Sequence, residues 1–239
     1  TDQARRFAAH FVYAENGDLA GLRRTHLDTL AGLDGDALKA KSESDAESMS
    51  AGVEGEIIVA FERRHRIWRY MPGEVVPEPL PPPDELAAMP QNSGIEALTL
   101  LNDGRLLAVT EGLNTAGDAV AWISDIDGWS VMTYAASGGF KVTGAATLAG
   151  GDVLVLERRF TLRDGVAARI RRVKAADIAP GARLRPTLVG ELRPPLSVDN
   201  FEGIDVRQAP DGRTFVYIVS DDNFNAVQRT LLMMFELTE

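Results

Sequence analysis

The sequence predicts an all-β fold, a β-propeller of about five to six four-stranded blades with an incomplete first blade. One plan recurs four times along the chain: a short strand, a turn, a longer apolar strand, and an acid followed by polar residues. The acids also recur in register, because Glu47 and Glu62 are separated by 15 residues and so are Glu96 and Glu111. The step from Glu47 to Glu96 is 49 residues, and propeller blades run about 40 to 50 residues each.

The first 44 residues predict half a blade. Residues 7–13 and 19–24 alternate between apolar and polar side chains and are joined across Asn16-Gly17, a dipeptide that favours a tight hairpin turn. We interpret this hairpin as the outer half of a first blade. Residues 45–239 hold the recognisable blades, and residues 1–239 form a single domain.

The four copies supply the inner strands of the blades. Their first and second strands are predicted at 45–49 and 57–62, 94–98 and 106–111, 142–145 and 153–157, and 201–204 and 215–221. Third strands follow at 67–70, 119–123, 168–173 and 231–235, and fourth strands at 131–134 and 187–192. The proline-rich stretches 74–90 and 175–195 read as extended surface connections, with one helical turn at 84–89. A β-sandwich is the alternative, but its strands would not repeat one acid pair at blade spacing.

The amino-acid composition argues against several classes of function. The formal net charge of -10 argues against nucleic-acid binding. No stretch approaches the run of about 18 apolar residues that spans a bilayer, so we predict no membrane span. The absence of Cys excludes thiol nucleophiles and disulfides, and only three His argue against a histidine-rich zinc site. A bound metal would therefore have oxygen ligands, which suits Ca²⁺ or Mg²⁺.

Acids at equivalent blade positions are the candidate functional groups. First strands line the channel of a propeller, so Glu47, Glu96 and Glu202 are expected in one tier, where the third copy has Gly144. A second tier ends the second strands: Glu62, Glu111, Glu157 and Asp221. Two interpretations remain open. Either the acids converge on the axis around a cation, or each pairs with an arginine or the backbone of its own blade.

Basic and oxygen-rich residues accompany the second tier. Arg63, Arg158 and Arg229 form an anion clamp for a substrate in one interpretation and neutralise the neighbouring glutamates in the other. His65 is either a proton shuttle or a structural residue. Residues 220–225 carry five oxygen-bearing side chains, which coordinate a hard cation or form Asx turns.

Several segments resemble the phytase-like family known as "esterase-like activity of phytase". The closing segments are Asn200-Phe201-Glu202-Gly203-Ile204, residues 211–213, 220–224 and 228–232; residues 61–70, 94–98 and 154–160 resemble earlier blades. The likeness covers roughly residue 45 to the C terminus. It implies a β-propeller commonly exported by bacteria, with repeated Glu and Asp in phosphoesterase or related ester chemistry. The sequence departs from the family at Ser48, where Gly is more usual, and at Gly144, where an acid is common.

We therefore predict a periplasmic or secreted bacterial hydrolase of phosphate esters or related anionic esters, assisted by Ca²⁺ or Mg²⁺. The cation would polarise the phosphoryl oxygen and activate water, and we expect a monomer. The alternative is a non-catalytic propeller that binds a small ligand or a protein partner. The expected catalytic residues are Glu47, Glu96, Glu202 and His65. The expected substrate-binding residues are Arg63, Arg158 and Arg229. The expected metal ligands are Glu62, Glu111, Glu157, Asp221 and Asp222.

Overall fold

A computed structural model describes residues 4–238 of the chain, so residues 1–3 and 239 of the predicted domain lie outside the described part. The described residues form eighteen strands in five small sheets of two, four, five, four and three strands. This confirms the all-β propeller class. Four of the sheets are blades, and the expected five to six blades are not confirmed.

The blades follow one another along the chain. A hairpin comes first, with β1 (Arg5–Tyr13) and β2 (Leu19–Thr29). The hairpin is not counted in the numbering of the observed blades. The first blade contains β3 (Ala46–Ala51), β4 (Ile57–Phe61), β5 (Arg66–Tyr70) and β6 (Glu78–Leu80). The second contains β7 (Ile95–Leu100), β8 (Leu106–Leu113), β9 (Ala119–Asp125) and β10 (Gly128–Tyr134). The third contains β11 (Lys141–Thr147), β12 (Val153–Thr161), β13 (Gly165–Val173) and β15 (Thr187–Leu192), and the fourth contains β16 (Phe201–Gln208), β17 (Thr214–Ser220) and β18 (Leu232–Leu237).

Short elements complete the described chain. The strand β14 (Arg183–Leu184) pairs in parallel with β10 and adds a fifth strand to the second blade. One α-helical turn, α1, covers Lys41–Ser44, and 3-10 turns cover Asp84–Ala88 and Ala175–Asp177. The strand β6 was not expected in the proline-rich connection. It lies at the outer edge of its sheet, where the missing N–H of Pro79 costs no ladder hydrogen bond.

The core lies between successive blades, whose first strands β3, β7, β11 and β16 are neighbours in that order. Alternate residues of β12 pack in different directions. Val153 and Val155 join the core shared with the second blade, whereas Leu154 and Leu156 join the core shared with the fourth. Because both faces of the strand are buried at its start, its first four residues are all apolar. Each such buried side chain contributes about 1.5–3 kcal/mol.

The hairpin β1–β2 contacts both the last and the first blade. At one end the hydroxyl groups of Tyr13 and Tyr217 are hydrogen-bonded at 2.7 Å. At the other end Leu30 packs in a cluster with Trp68, and the Tyr70 hydroxyl donates to the Ala31 carbonyl at 2.9 Å. The predicted hairpin is therefore confirmed, and its interpretation as half a blade stays a prediction. Among residues 4–238, no helix is long and apolar enough to cross a membrane.

Candidate functional site

The first strand of every blade carries a β-bulge near its beginning. The pairing with the second strand skips one residue in each blade: Glu47, Glu96, Thr143 and Glu202. A bulge leaves its residue out of the ladder and redirects the side chain. Three blades therefore present a glutamate at one equivalent position. The predicted equivalence of Gly144 was wrong by one residue, because the register places Thr143 there.

Carboxyl groups from three blades share one acidic centre, which we define by the following residues: Asp45, Glu47, Glu62, Glu96, Glu111 and Glu202. Burial raises the pKa of half-buried Glu96 to about 9, and repulsion from the other four glutamates of the centre adds to this rise. Burial also raises the pKa of Glu202, with repulsion from Asp221 and Glu111, while Arg158 and Asn200 oppose the rise. The three bulge glutamates are therefore close enough for the charges of Glu47 and Glu202 to act on Glu96.

The second tier needs one correction. Residues Phe61, Thr110, Glu157 and Ser220 pair with equivalent positions of the first strands. The residues that follow them are Glu62, Glu111, Arg158 and Asp221. Consecutive strand residues point to opposite faces, so Glu157 is out of register with the other acids. The third blade presents Arg158 in its place.

Glu157 is enclosed between the blades and has local partners. Its carboxylate accepts a hydrogen bond from the Tyr134 hydroxyl at 2.8 Å and pairs with Arg171 at 3.3 Å and with Arg169. It is fully buried. For this residue the arrangement matches the interpretation in which an acid pairs with arginines of its own blade.

Within the acidic centre, Asp45, Glu47 and Glu62 offer carboxylate oxygens that all lie within 4.8 Å of one another. Opposite oxygen ligands of Ca²⁺, at 2.3–2.6 Å from the ion, are about 5 Å apart, so the cluster fits a hard cation in size and chemistry. Arg63 donates to Asp45, and the Gly94 N–H donates to Glu62 at 3.3 Å. Burial raises the pKa of Glu62. Repulsion from Asp45 and Glu111 adds to this rise, and the hydrogen bond from the Gly94 N–H opposes it.

The third blade brings positive charge to the acidic centre. Lys141 and Arg158 lie directly opposite each other on β11 and β12, a placement that costs energy for like charges. Lys141 pairs with Glu111 of the second blade at 3.1 Å, and Arg158 pairs with Glu202 of the fourth at 3.3 Å. The Nε atom of Arg158 is buried and has no hydrogen-bond partner among residues 4–238. One donor of this guanidinium is therefore unused.

The remaining candidates have local contacts. The His65 Nε2 atom lies 3.1 Å from the Pro90 carbonyl oxygen, and His65 partly opposes the rise in the pKa of Glu62 that burial causes. Arg229 pairs with Asp199 at 3.4 Å. Asp222 accepts from the Phe224 N–H and the Thr230 hydroxyl. Asp221 accepts from the Asn223 N–H at 3.0 Å. The Asx turns expected in residues 220–225 are thus formed.

Sequence reasoning missed three residues of the site: Asp45, Lys141 and Thr143. Asp45 lies two residues before Glu47, at the start of the predicted strand 45–49, and it has no counterpart in the acid repeat. Thr143 would have been found by aligning the copies on the bulge. Lys141 carries no sequence signal, because its relevance comes from the Glu111 of another blade.

A family model described as "Phytase-like: Esterase-like activity of phytase" matches residues 1–224. The chain belongs to the phytase-like family. The match confirms the resemblance and extends it over the hairpin. No curated protein matches this phytase-like chain.

Solved structures resemble the phytase-like chain at low identity. A protein of unknown function from Bacteroides caccae has 14% identity, with coverage of 80% of this chain and 60% of that chain and a TM-score of 0.40. AofleA from Arthrobotrys oligospora has 8% identity, coverage of 98% and 63%, and a TM-score of 0.48. A putative gluconolactonase has 12% identity, coverage of 80% and 58%, and a TM-score of 0.41. The chain therefore spans about three fifths of the length of these proteins.

Proposed function

We propose that this phytase-like protein is an exported hydrolase of phosphate esters or related anionic esters that acts with Ca²⁺ or Mg²⁺. The observation that carries the proposal is the meeting of three bulge glutamates, from three blades, with two strand-end glutamates in one centre. Uncompensated carboxylates repel one another strongly at low dielectric. A centre of this kind therefore favours a bound cation, a bound proton, or both.

In this proposal Asp45, Glu47 and Glu62 hold the cation, because their oxygens form the compact cluster. The bound cation would supply a Lewis acid for the phosphoryl or carbonyl oxygen of the ester. Arg63 orients Asp45 by its hydrogen bond and is not itself placed on the substrate. Glu111 and Glu202 hold Lys141 and Arg158 in the same centre.

Glu96 is the proton donor of the proposed mechanism. In the cation-free centre, burial and then repulsion from its acidic neighbours raise the pKa of Glu96 to about 9, and burial, the largest cause, favours the protonated carboxyl group. A protonated carboxylic acid in such a centre can donate to the leaving oxygen of an ester. Its position on the bulge of β7, outside the ladder, and its electrostatic interaction with Glu47 and Glu62 of the first blade support this role.

The third blade supplies the anion-binding side. An anionic ester is repelled by the carboxylates unless positive charge offsets them. The Arg158 side chain keeps 30% of its surface exposed beside Glu202, and guanidinium donors match the geometry of phosphate and carboxylate oxygens. Glu157, Asp222 and Arg229 have no role in the proposed mechanism, because Glu157 and Arg229 form ion pairs elsewhere and Asp222 accepts hydrogen bonds within its own loop.

A non-catalytic propeller that binds a ligand or a partner is the second candidate. The own-blade pairing of Glu157 with Arg169, and of Asp45 with Arg63, favours it. These contacts are what a purely structural use of acids would produce. The two candidates differ in cation binding and turnover.

Cation binding and hydrolysis test the proposal together. We expect calorimetric titration with CaCl₂ or MgCl₂ to show binding below millimolar, and p-nitrophenyl phosphate or the anionic diester bis(p-nitrophenyl) phosphate to be hydrolysed only with the cation. Glu62→Gln should weaken the cation affinity by at least about tenfold, because it removes a charged ligand.

The matched control is Glu78→Gln, which removes the same charge far from the acidic bulges. Glu78 is an exposed residue of the outermost strand β6, and its carboxylate pairs with Arg69. It should bind the cation as the wild type does. No binding below millimolar, together with no turnover of either ester, would overturn the proposal. Equal losses in both variants would show that net charge, rather than the centre, attracts the cation.

A further inference from the structure

We propose that Ser48 and Thr143 are positioning residues, whose hydroxyl groups hold the bulges that carry Glu96 and Glu202 in the acidic centre. Each hydroxyl belongs to one blade and acts on the glutamate of the next. The catalytic meaning of this inference rests on the proposed function, but the geometric claim does not.

The two contacts share the acceptor position but not the donor position, because Thr143 is the bulge residue of its blade and Ser48 follows the bulge residue Glu47. The Ser48 hydroxyl of the first blade donates to the Ile95 carbonyl of the second at 2.6 Å. The Thr143 hydroxyl of the third blade donates to the Phe201 carbonyl of the fourth at 3.0 Å. Ile95 directly precedes Glu96, and Phe201 directly precedes Glu202. Each hydroxyl therefore anchors the backbone one residue before a bulge glutamate.

This anchor matters because a bulge interrupts the ladder. Ile95 pairs with Thr110 and Ala97 pairs with Val109, so Glu96 has no cross-strand partner of its own. The direction of a bulged side chain depends on contacts outside the regular ladder. A hydrogen bond from the neighbouring blade to the adjacent carbonyl is such a contact. The same reasoning applies to Glu202 in β16.

Close packing beside the contacts leaves little freedom for the bulge. A Cβ atom at Gly144, next to Thr143, would lie 3.1 Å from Ile204 Cγ2 and 3.3 Å from the Glu202 carbonyl oxygen. The third and fourth blades thus approach each other at Glu202 itself. The third blade, which has no acid at its bulge, uses that position for a hydroxyl that orients the acid of its neighbour.

The chain contains a matched control for these contacts. The hydroxyl groups of Thr99 in β7 and Thr147 in β11 are hydrogen-bonded at 2.9 Å. This bond also joins two neighbouring first strands, but both residues lie late in their strands, away from the bulges. Thr99→Val therefore removes an inter-blade hydroxyl contact without removing an anchor next to a bulge glutamate.

The test is a carboxyl titration by ¹³C NMR without any divalent cation, with Glu96 and Glu202 assigned by comparison with their Gln variants. In Ser48→Ala we expect the Glu96 midpoint to fall toward the ordinary range for glutamic acid, because the side chain is free to turn toward water. In Thr143→Ala the Glu202 midpoint should move likewise, and Thr143→Ser, which keeps the hydroxyl, should restore it. Thr99→Val should leave both midpoints in place.

Cation-dependent hydrolysis of p-nitrophenyl phosphate is the second readout, because Glu96 is the proposed proton donor and not a cation ligand. Ser48→Ala should lower kcat about tenfold, the smaller end of the loss of activity on removing a positioning group, and Thr99→Val should not. Unchanged midpoints in Ser48→Ala and Thr143→Ala, or equal shifts in Thr99→Val, would overturn the inference. If the wild type binds no Ca²⁺, the proposed function fails, whereas the titrations still decide the positioning role.

Discussion

Glu157→Ala is expected to lower the free energy of unfolding by about 3–5 kcal/mol, the usual cost of breaking a buried ion pair from one side. The carboxylate is fully buried and neutralises Arg169 and Arg171, whose side chains are only 12% exposed. Its removal leaves two buried guanidinium groups without their counter-charge. It also leaves the Tyr134 hydroxyl without its acceptor.

Urea unfolding followed by circular dichroism measures this effect. The control is Glu191→Ala in the outer strand β15 of the same blade, where the pair with Arg193 is more exposed and a change within about 1 kcal/mol is expected. A loss for Glu157→Ala as small as that of the control would contradict the buried network. Because Glu157 is turned away from the acidic centre, cation affinity of the folded variant should stay at the wild-type value.

Glu96→Gln is expected to change how stability depends on pH. The folded pKa of Glu96 is raised to about 9, above its unfolded value of 4.5. Between these two values the folded protein keeps a proton that the unfolded chain has lost. Without a divalent cation, the wild type should therefore lose stability as pH rises from about 5 to about 9, and one pKa unit corresponds to about 1.4 kcal/mol.

Glu96→Gln removes this titrating group, so its stability should fall less steeply over the same range and exceed that of the wild type at pH 8. Burial also raises the pKa of Glu62 and Glu202, which leaves a residual slope of the same sign. Thermal melting in EDTA from pH 5 to 9 measures both proteins, with Glu78→Gln as the control that keeps the wild-type slope. Parallel curves for wild type and Glu96→Gln would show that Glu96 titrates normally in the fold.

The fold class could be predicted because local rules sufficed for it. The apolar run at the start of β12 indicates a strand buried on both faces, and Asn16-Gly17 predicts a hairpin. The spacing from Glu47 to Glu62 equals that from Glu96 to Glu111, which predicts equivalent positions in two blades. The edge strand β6 escaped prediction because Pro79 is compatible with a strand only at an edge, and an edge is a property of the finished sheet.

The types of residue that form the site could be predicted from the sequence. The strand register, which decides which of these residues face the site, could not. Glu47, Glu96 and Glu202 were recognised as equivalent because each lies in the first strand of a copy of the repeat. Glu157 looks the same as Glu62 and Glu111 in sequence, since all end an apolar strand and two of the three precede arginine. A shift of one residue relative to the bulge turns its side chain to the opposite face.

The sequence by itself determined that this chain is a β-propeller of repeated units and that any metal it binds must have oxygen ligands. Strand periodicity, repeat spacing and the absence of Cys are all read along the chain. Only the tertiary structure decided which acids meet. The acidic centre, the partners of Lys141 and Arg158, and the contacts of Ser48 and Thr143 all cross from one blade to another. Such contacts depend on the bulge register and on how neighbouring sheets pack, which spacing along a single strand does not encode.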